Sequence, residues 1–359
     1  MKFSWVHISL GLVCLVILAA CGDLDYYVHC ASGHLSLMSK ARPIDEVMAD
    51  PRVNADERRQ LEKVLEIRNF ASSALSLPDN KSYRNYADIQ RPYVVWNVVA
   101  APEFSLEAKQ WCFPFAGCVS YRGYFDQSGA NRLALHLAEE GFDVDVYGVQ
   151  AYSTLKWFDD PVLNTFLNGD ELSIAALIFH ELAHQVVYVP GDTAFNEAFA
   201  KTVELEGLKR WVLKNSDIEQ WQECLVKEDR REVFQGFLAE TRDALKAIYR
   251  EPFSIPEKRS RKQAVLEQAH QRFQDLLAQS PEYSAYESWM SRGLNNARLA
   301  SVATYYELVP AFRALLAKHE GHFQPFFADV SDLGKLPKDV RLARLKSLTN
   351  AQFALLTSP

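Results

Sequence analysis

His180 and His184 stand four residues apart with Glu181 directly after the first, and this trio is the part of the chain best suited to chemistry. On an α-helix, positions i and i+4 lie about 40° apart around the axis and one turn apart along it, so two imidazoles can converge on a single ion. Zinc takes imidazole nitrogen readily, and two ligands from one turn make half of a tetrahedral site. Glu181 sits beside the pair, where its carboxylate can take a proton from the attacking water. The arrangement is that of a hydrolase holding one zinc ion.

The element that must carry the trio is a helix opened by Asp170 and Glu171, a good cap and an acidic first turn, and running apolar from Ile174 to Phe179 without Gly or Pro. Two histidines and a glutamate at the end of a buried helix are costly unless paired or bound to metal. A turn at Pro190-Gly191-Asp192 then leads into a second helical pattern that can fold back beside the first. Glu197, near its start, is the expected third ligand, and two His with one Glu leave the fourth position open. Glu204, seven residues further on nearly the same face, is the alternative ligand or an outer partner for a histidine. Glu206 reads as surface charge.

His180-Glu181-Leu182-Ala183-His184 followed by Asn196-Glu197-Ala198-Phe199-Ala200 resembles the gluzincin metallopeptidases, in which a glutamate on the next helix supplies the third zinc ligand. Twelve residues separate His184 from Glu197, fewer than in the thermolysin-like members, whereas Glu204 falls at the thermolysin-like distance. A closer resemblance is to bacterial lipoproteins described as predicted aminopeptidases. It is carried by the segments 111–125, 152–161 and 295–299 besides the metal motifs, and spans most of the mature chain. The resemblance implies a peptide substrate and removal of N-terminal residues. It also implies a Tyr or His donor for the oxyanion, for which Tyr305 is the choice and Tyr121, Tyr124, Tyr152 and Tyr188 are competitors. The G-x-M-E-N amine-binding motif of the classical zinc aminopeptidases does not occur. By analogy with gluzincins, Tyr152 to Phe158 is expected to pair with substrate backbone. Two other readings stand beside this one: a peptidase-like lipoprotein that binds a partner or envelope component without turnover, against which the complete motif argues, and zinc hydrolysis of a non-peptide envelope amide, which uses the same residues.

The amino terminus begins Met1-Lys2, runs apolar from Val6 to Ala20 and ends Leu18-Ala19-Ala20-Cys21, a lipobox. Cleavage after residue 20 makes Cys21 the acylated first residue and the membrane attachment point. The run is short for a bilayer span. Several acyl chains on one residue give a firm anchor, where a single chain is marginal. Gly22 stands where an Asp would signal inner-membrane retention, so resemblance to such lipoproteins points to the outer membrane, facing the periplasm.

The full chain is 48% hydrophobic with a formal charge of −7, enough apolar material for a sizeable core and the wrong sign for nucleic acid. In an oxidising compartment Cys112 and Cys118 are expected to close a small loop, leaving Cys30 and Cys224 as the remaining pair. The Lys258–Lys262 cluster reads as a solvated helical face.

These elements predict an α+β, mainly helical fold. A capped amphipathic helix runs from Asn54 to about Leu75. Strand patterns follow at 93–100, 119–125 and 142–149, with a helix at 127–140 between the last two. Beyond Glu197 the chain is almost wholly helical, with Phe234, Phe237, Leu238, Leu245 and Ile248 on one face and a break at Pro252 to Pro256. The expected division is a signal peptide (1–20), a lipidated tether (21–42), a zincin-like core with a small sheet packed on the metal helix (43–200), and a C-terminal helical bundle completing the cleft (201–359).

Overall fold

The computed structural model describes the backbone of residues 24–113, 117–214, 218–306 and 308–357, and the side chains of these except 218, 220, 303–306 and 349–357. The fold is α+β and mainly helical. Its central sheet has three antiparallel strands, with Val95–Pro102 between Arg122–Tyr124 and Phe142–Val149. The central strand is buried along nearly its whole length because both of its faces are covered. Alternate side chains point to opposite faces. Trp96, Val98 and Ala100 pack with Ala130 and Leu137 of the helix Gln127–Glu139. Val99 and Ala101 pack instead against Ala297 of the helix Asn296–Tyr306.

Two expectations shift in detail. The strand predicted at 119–125 is split: Gly117–Val119 pairs with Trp111–Phe113 in a hairpin of its own, and only Arg122–Tyr124 joins the central sheet. Cys112 and Cys118 face each other across that hairpin and form a disulfide. Cys30 and Cys224 do not pair, against expectation, because they line separate cavities.

The helix Ala55–Leu75 starts where the sequence places it. Asn54 caps it, its side chain accepting from the Glu57 amide at 2.8 Å. The apolar face carrying Leu61, Val64, Ile67 and Phe70 joins the main core beneath the two helices of the site. Downstream, Ile218–Arg250 and Ile255–Gln279 form a long hairpin with a second core of Phe234, Phe237, Leu238, Leu245 and Phe273. Its second helix opens with a capping box in which Ser254 and Glu257 satisfy each other's backbone amides. The basic cluster there is not simply solvated: Lys262 donates to Asp143 at 2.6 Å and Arg259 to Glu103 at 3.0 Å, which fastens the hairpin to the end of the sheet. Among the described residues no helix is long and apolar enough to cross a membrane.

Candidate metal centre

The helix Glu171–His184 begins at Asp170, whose carboxylate accepts from the Ser173 amide at 2.8 Å and from the Ser173 hydroxyl at 2.9 Å. Ile174, Ala175, Ile178, Phe179, Leu182 and Ala183 are fully buried, so one face of the helix is fixed by the core and the opposite face, with His180, Glu181 and His184, looks into the cleft. The helix Thr193–Lys214 crosses against it. That crossing is close because residue 207 is glycine: a Cβ there would lie 2.7 Å from the Phe179 ring and 2.9 Å from Leu75. The turn joining the two helices is locked from within. The Asn196 side chain accepts from the Val189 amide at 2.8 Å and donates to the Val189 carbonyl at 2.9 Å, while buried Asp192 receives two bonds from Arg341 at 2.6 and 3.1 Å. Gly191 turns with φ +79°, and Gly117 of the disulfide hairpin packs on it so tightly that a Cβ would sit 2.6 Å from the Gly191 nitrogen.

This packing gathers His180, His184 and Glu197, whose ligand atoms all lie within 4.8 Å of one another. The Nε2 atoms of the two histidines are 3.2 Å apart, and Glu197 approaches them at 3.2 Å (His180) and 3.8 Å (His184). Two imidazole nitrogens aimed at one point, with a carboxylate beside them, can share a proton only poorly among three acceptors. The same atoms are a suitable donor set for a divalent ion such as zinc. Glu204 does not join this trio. It lies on the far side of His180, its Oε2 3.2 Å from Nδ1, and its other oxygen is held by buried Lys201. With Nδ1–H donating to Glu204, the Nε2 lone pair of His180 is left for an ion. The Nδ1 of His184 is buried with no hydrogen-bond partner among the described residues.

The electrostatics follow from burial and from this wiring. Burial would depress His180, but the bonds to Glu197 and Glu204 prevail and raise its pKa to about 10. Burial lowers His184 to about 4, with the neighbouring His180 pushing the same way and Glu197 opposing. Burial also raises Glu181 to about 7, against the pull of His180 and with the help of Glu197, Asp160 and Glu204. Despite burial, Glu197 is lowered by the two histidines and Glu204 falls to about 2 through Lys201 and His180. A carboxylate near neutrality beside two imidazoles is poised for proton transfer at ordinary pH.

The trio opens into a cleft of about 640 Å³ walled by the sheet, by Gly148–Ser153 and by Tyr26 and Cys30 of the helical segment 24–38. Of the tyrosine competitors, Tyr121, Tyr152 and Tyr188 line it, whereas Tyr124 does not and meets the Tyr26 ring edge to face. Burial raises the Tyr121 and Tyr188 hydroxyls, and the Glu197 charge raises them further. Tyr305 lies on the helix Asn296–Tyr306, but its side chain falls outside the described residues, as do the whole segment 1–23 and Cys21. The segment 152–158 is not an extended strand awaiting substrate. Its amides are used internally, Thr154 donating to Asp160 at 3.0 Å and Trp157 to the Thr154 carbonyl at 3.0 Å, which folds it into a turn.

Several residues that hold the site carry no recognisable local signal. Lys201 and the turn lock at Asn196 read as ordinary helix polarity. Gln185, just past the motif, is pinned by Asn80 at 2.7 Å and by Ser82 at 3.1 Å, over a hundred positions away. The segment 295–299 acts at a distance from the trio: Asn296 donates to the Pro102 and Glu103 carbonyls, and Asn295 to Val144, which ties the helix to both long strands.

No curated protein and no solved structure matches the chain. One protein family does, the family described as "Putative aminopeptidase", whose model matches residues 25–345. The match takes in the sheet, both site helices and the hairpin behind them, and the chain therefore belongs to that family.

Proposed function

We propose that this chain is a zinc-dependent peptide hydrolase, an aminopeptidase of the gluzincin type, tethered through acylated Cys21 to the outer membrane and acting in the periplasm. The observation that carries the hydrolytic reading is the convergence of His180, His184 and Glu197 within 4.8 Å, with Glu204 bonded to the outer nitrogen of His180. Family membership supports the peptidase class, and the lipobox supports the tether and the compartment.

Zinc in this position would supply a Lewis acid and lower the pKa of water. The protein supplies the rest. Glu181 takes a proton from the attacking water on its sheltered, cleft-facing carboxylate and returns it to the leaving amine, a role suited to a group raised to about 7. Glu204 holds His180 in one tautomer and one orientation, and Lys201 keeps Glu204 charged in its buried position. Tyr121 and Tyr188, protonated and in the cleft, are the donors available to the developing oxyanion.

The test is a peptide library, each member free or blocked at its N-terminus, incubated with the purified zinc-loaded chain and read by mass spectrometry. Loss of single residues from free N-termini is expected. Cuts inside blocked peptides would overturn the exopeptidase assignment. In parallel, Glu181→Gln is expected to keep stoichiometric zinc and lose turnover, and intact hydrolysis by that variant would sink the mechanism.

A further inference from the structure

The helical segment 24–38 has two unlike faces. Its inner face forms part of the cleft wall and is well tied down. Tyr26 donates to the Gly123 carbonyl at 3.0 Å, His29 accepts from the Phe125 amide at 3.0 Å, and His34 meets the Tyr152 hydroxyl at 2.6 Å. Gly33 allows the approach, since a Cβ there would lie 2.3 Å from the Phe125 ring. The outer face is apolar and bare. Leu24, Tyr27, Val28 and Leu35 are 61%, 40%, 60% and 62% exposed, and Ala31 is exposed between them. At 100° per residue these five fall within about 60° of one line along the helix. A soluble helix that buries one face ordinarily presents charge on the other.

A second exposed apolar element lies beside it. Trp157 and Phe158 are 64% and 47% exposed at the tip of the turn after Tyr152, and the Phe158 ring lies 4.3 Å from that of His34. Leu155 and Lys156 both take left-handed backbone conformations, φ 54° and 72°, to make this tip. Non-glycine residues enter that region at a cost, so a pair in succession marks a shape that the surrounding contacts enforce. Thr154 and Asp160 supply those contacts, the hydroxyl donating to the carboxylate at 2.7 Å.

We infer that the outer stripe of 24–38 and the Trp157–Phe158 tip dock on a lipid surface, setting one wall of the cleft against the bilayer so that peptide ends displayed there are within reach. The inference rests on the lipid anchor proposed above, and the anchor is what selects lipid over a second copy of the chain. Leu24 is three residues from Cys21, so even a fully extended link spans no more than about 11 Å. A stripe held that close to inserted acyl chains meets the interface whether or not another protein is present. An amphipathic helix in the membrane plane, flanked by an aromatic tip at headgroup depth, is a recurrent form of interfacial binding. Because Tyr26, Cys30 and Tyr152 of these two elements also line the cleft, docking fixes the direction in which the cleft mouth faces.

The experiment uses the full lipidated chain reconstituted in phosphatidylethanolamine–phosphatidylglycerol vesicles. Flotation reports the anchor, and quenching of tryptophan emission by shallowly brominated lipid reports docking, with Trp157→Phe identifying the Trp157 share. Floated protein is expected to show Trp157 quenching that falls at least about threefold in the double variant Val28→Glu and Leu35→Glu, while that variant still floats. Protein that floats with Trp157 unquenched overturns the docking alone. Crosslinking between the stripes of two copies, with no quenching, overturns it in favour of self-association. Protein that neither carries acyl chains nor floats overturns the anchor and the docking together. Peptide hydrolysis measured on the same preparations in detergent tests the catalytic reading separately, and its absence leaves the quenching result intact.

Discussion

The site pair, Glu171–His184 with Thr193–Lys214, encloses His184, Lys201 and Glu204 in its interior and keeps His180, Glu181 and Glu197 nearly as sheltered. The hairpin Ile218–Arg250 with Ile255–Gln279 encloses Phe234, Leu238, Leu245 and Phe273 between its helices and keeps charge at its margins, as in the exposed pair Arg272–Glu240 at 2.6 Å and in Lys262, which reaches out to Asp143 of the sheet. Both are antiparallel helices following the same packing rules. The difference lies in what the interior is for. Buried ionisable groups add little net stability even when paired, whereas buried aromatics contribute a large share of it. The site pair therefore depends on the apolar mass around it, on Phe179, Phe195, Phe199 and Trp211, to hold charges that would otherwise force it apart. The hairpin has no such task.

Substitutions can break this comparison. The largest effect is expected from Glu181→Gln, which should lower kcat about 100- to 10,000-fold with zinc content and melting temperature little changed. Next is Phe273→Ala in the hairpin, where an entirely buried ring meets Phe234. A loss of about 3–5 kcal/mol in unfolding experiments is expected, with zinc affinity retained in the molecules that stay folded. If zinc binding fell in step, the two helix pairs would not be the separate units described. Glu204→Gln should weaken zinc binding about 10- to 100-fold in a competition titration, because His180 then loses the charged partner of its outer nitrogen.

A pH series sharpens the contrast further. In the zinc-free chain the folded-state pKa of His180 is raised to about 10 from 6.5, so its favourable contribution is complete below 6.5 and is lost as pH rises through 10. Glu181, raised to about 7 from 4.5, is an acid whose folded state resists ionisation, and it removes stability between those values. His184 acts in the opposite sense, lowered to about 4, and offsets Glu181 below pH 6.5. The melting temperature with chelator present is thus expected to fall from pH 6.5 toward 10, and Glu204→Gln should flatten the fall. The smallest effect is expected from Arg259→Ala, whose pairing with Glu103 is exposed and screened by solvent, so the melting temperature should stay almost where it is.

Much of this was legible in the sequence where one helix or strand decides the matter. Asn54 and Asp170 cap their helices as their residue types predict, and the alternation from Phe142 to Val149 marks a strand with those bounds. The break expected from Pro252 to Pro256 separates the two hairpin helices, with Pro252 between them and Pro256 in the first turn of the second. The split of 119–125 was not legible, because a run rich in strand formers does not say which partner each half will take. Nor was the unpaired state of the Cys30 and Cys224 thiols, since two cysteines left over in a count need not be near in space. The basic cluster at 258–262 looked like a solvated face because its acceptors, Glu103 and Asp143, come from over a hundred residues upstream.

The two carboxylates of the second site helix show the division of labour most clearly. Periodicity alone puts His180 and His184 on one face of their helix, and Glu197 and Glu204 on one face of theirs, because 3.6 residues per turn fixes angles around a single axis. It does not say which carboxylate meets which nitrogen. That depends on how far one axis slides and how closely it approaches the other. The approach is set by Gly207 against Phe179 and Leu75, and by Asn196, Asp192 and Arg341 at the turn. Those contacts join residues distant in the chain, so only the tertiary structure could place Glu197 at the inner nitrogen of His180 and Glu204 at the outer one.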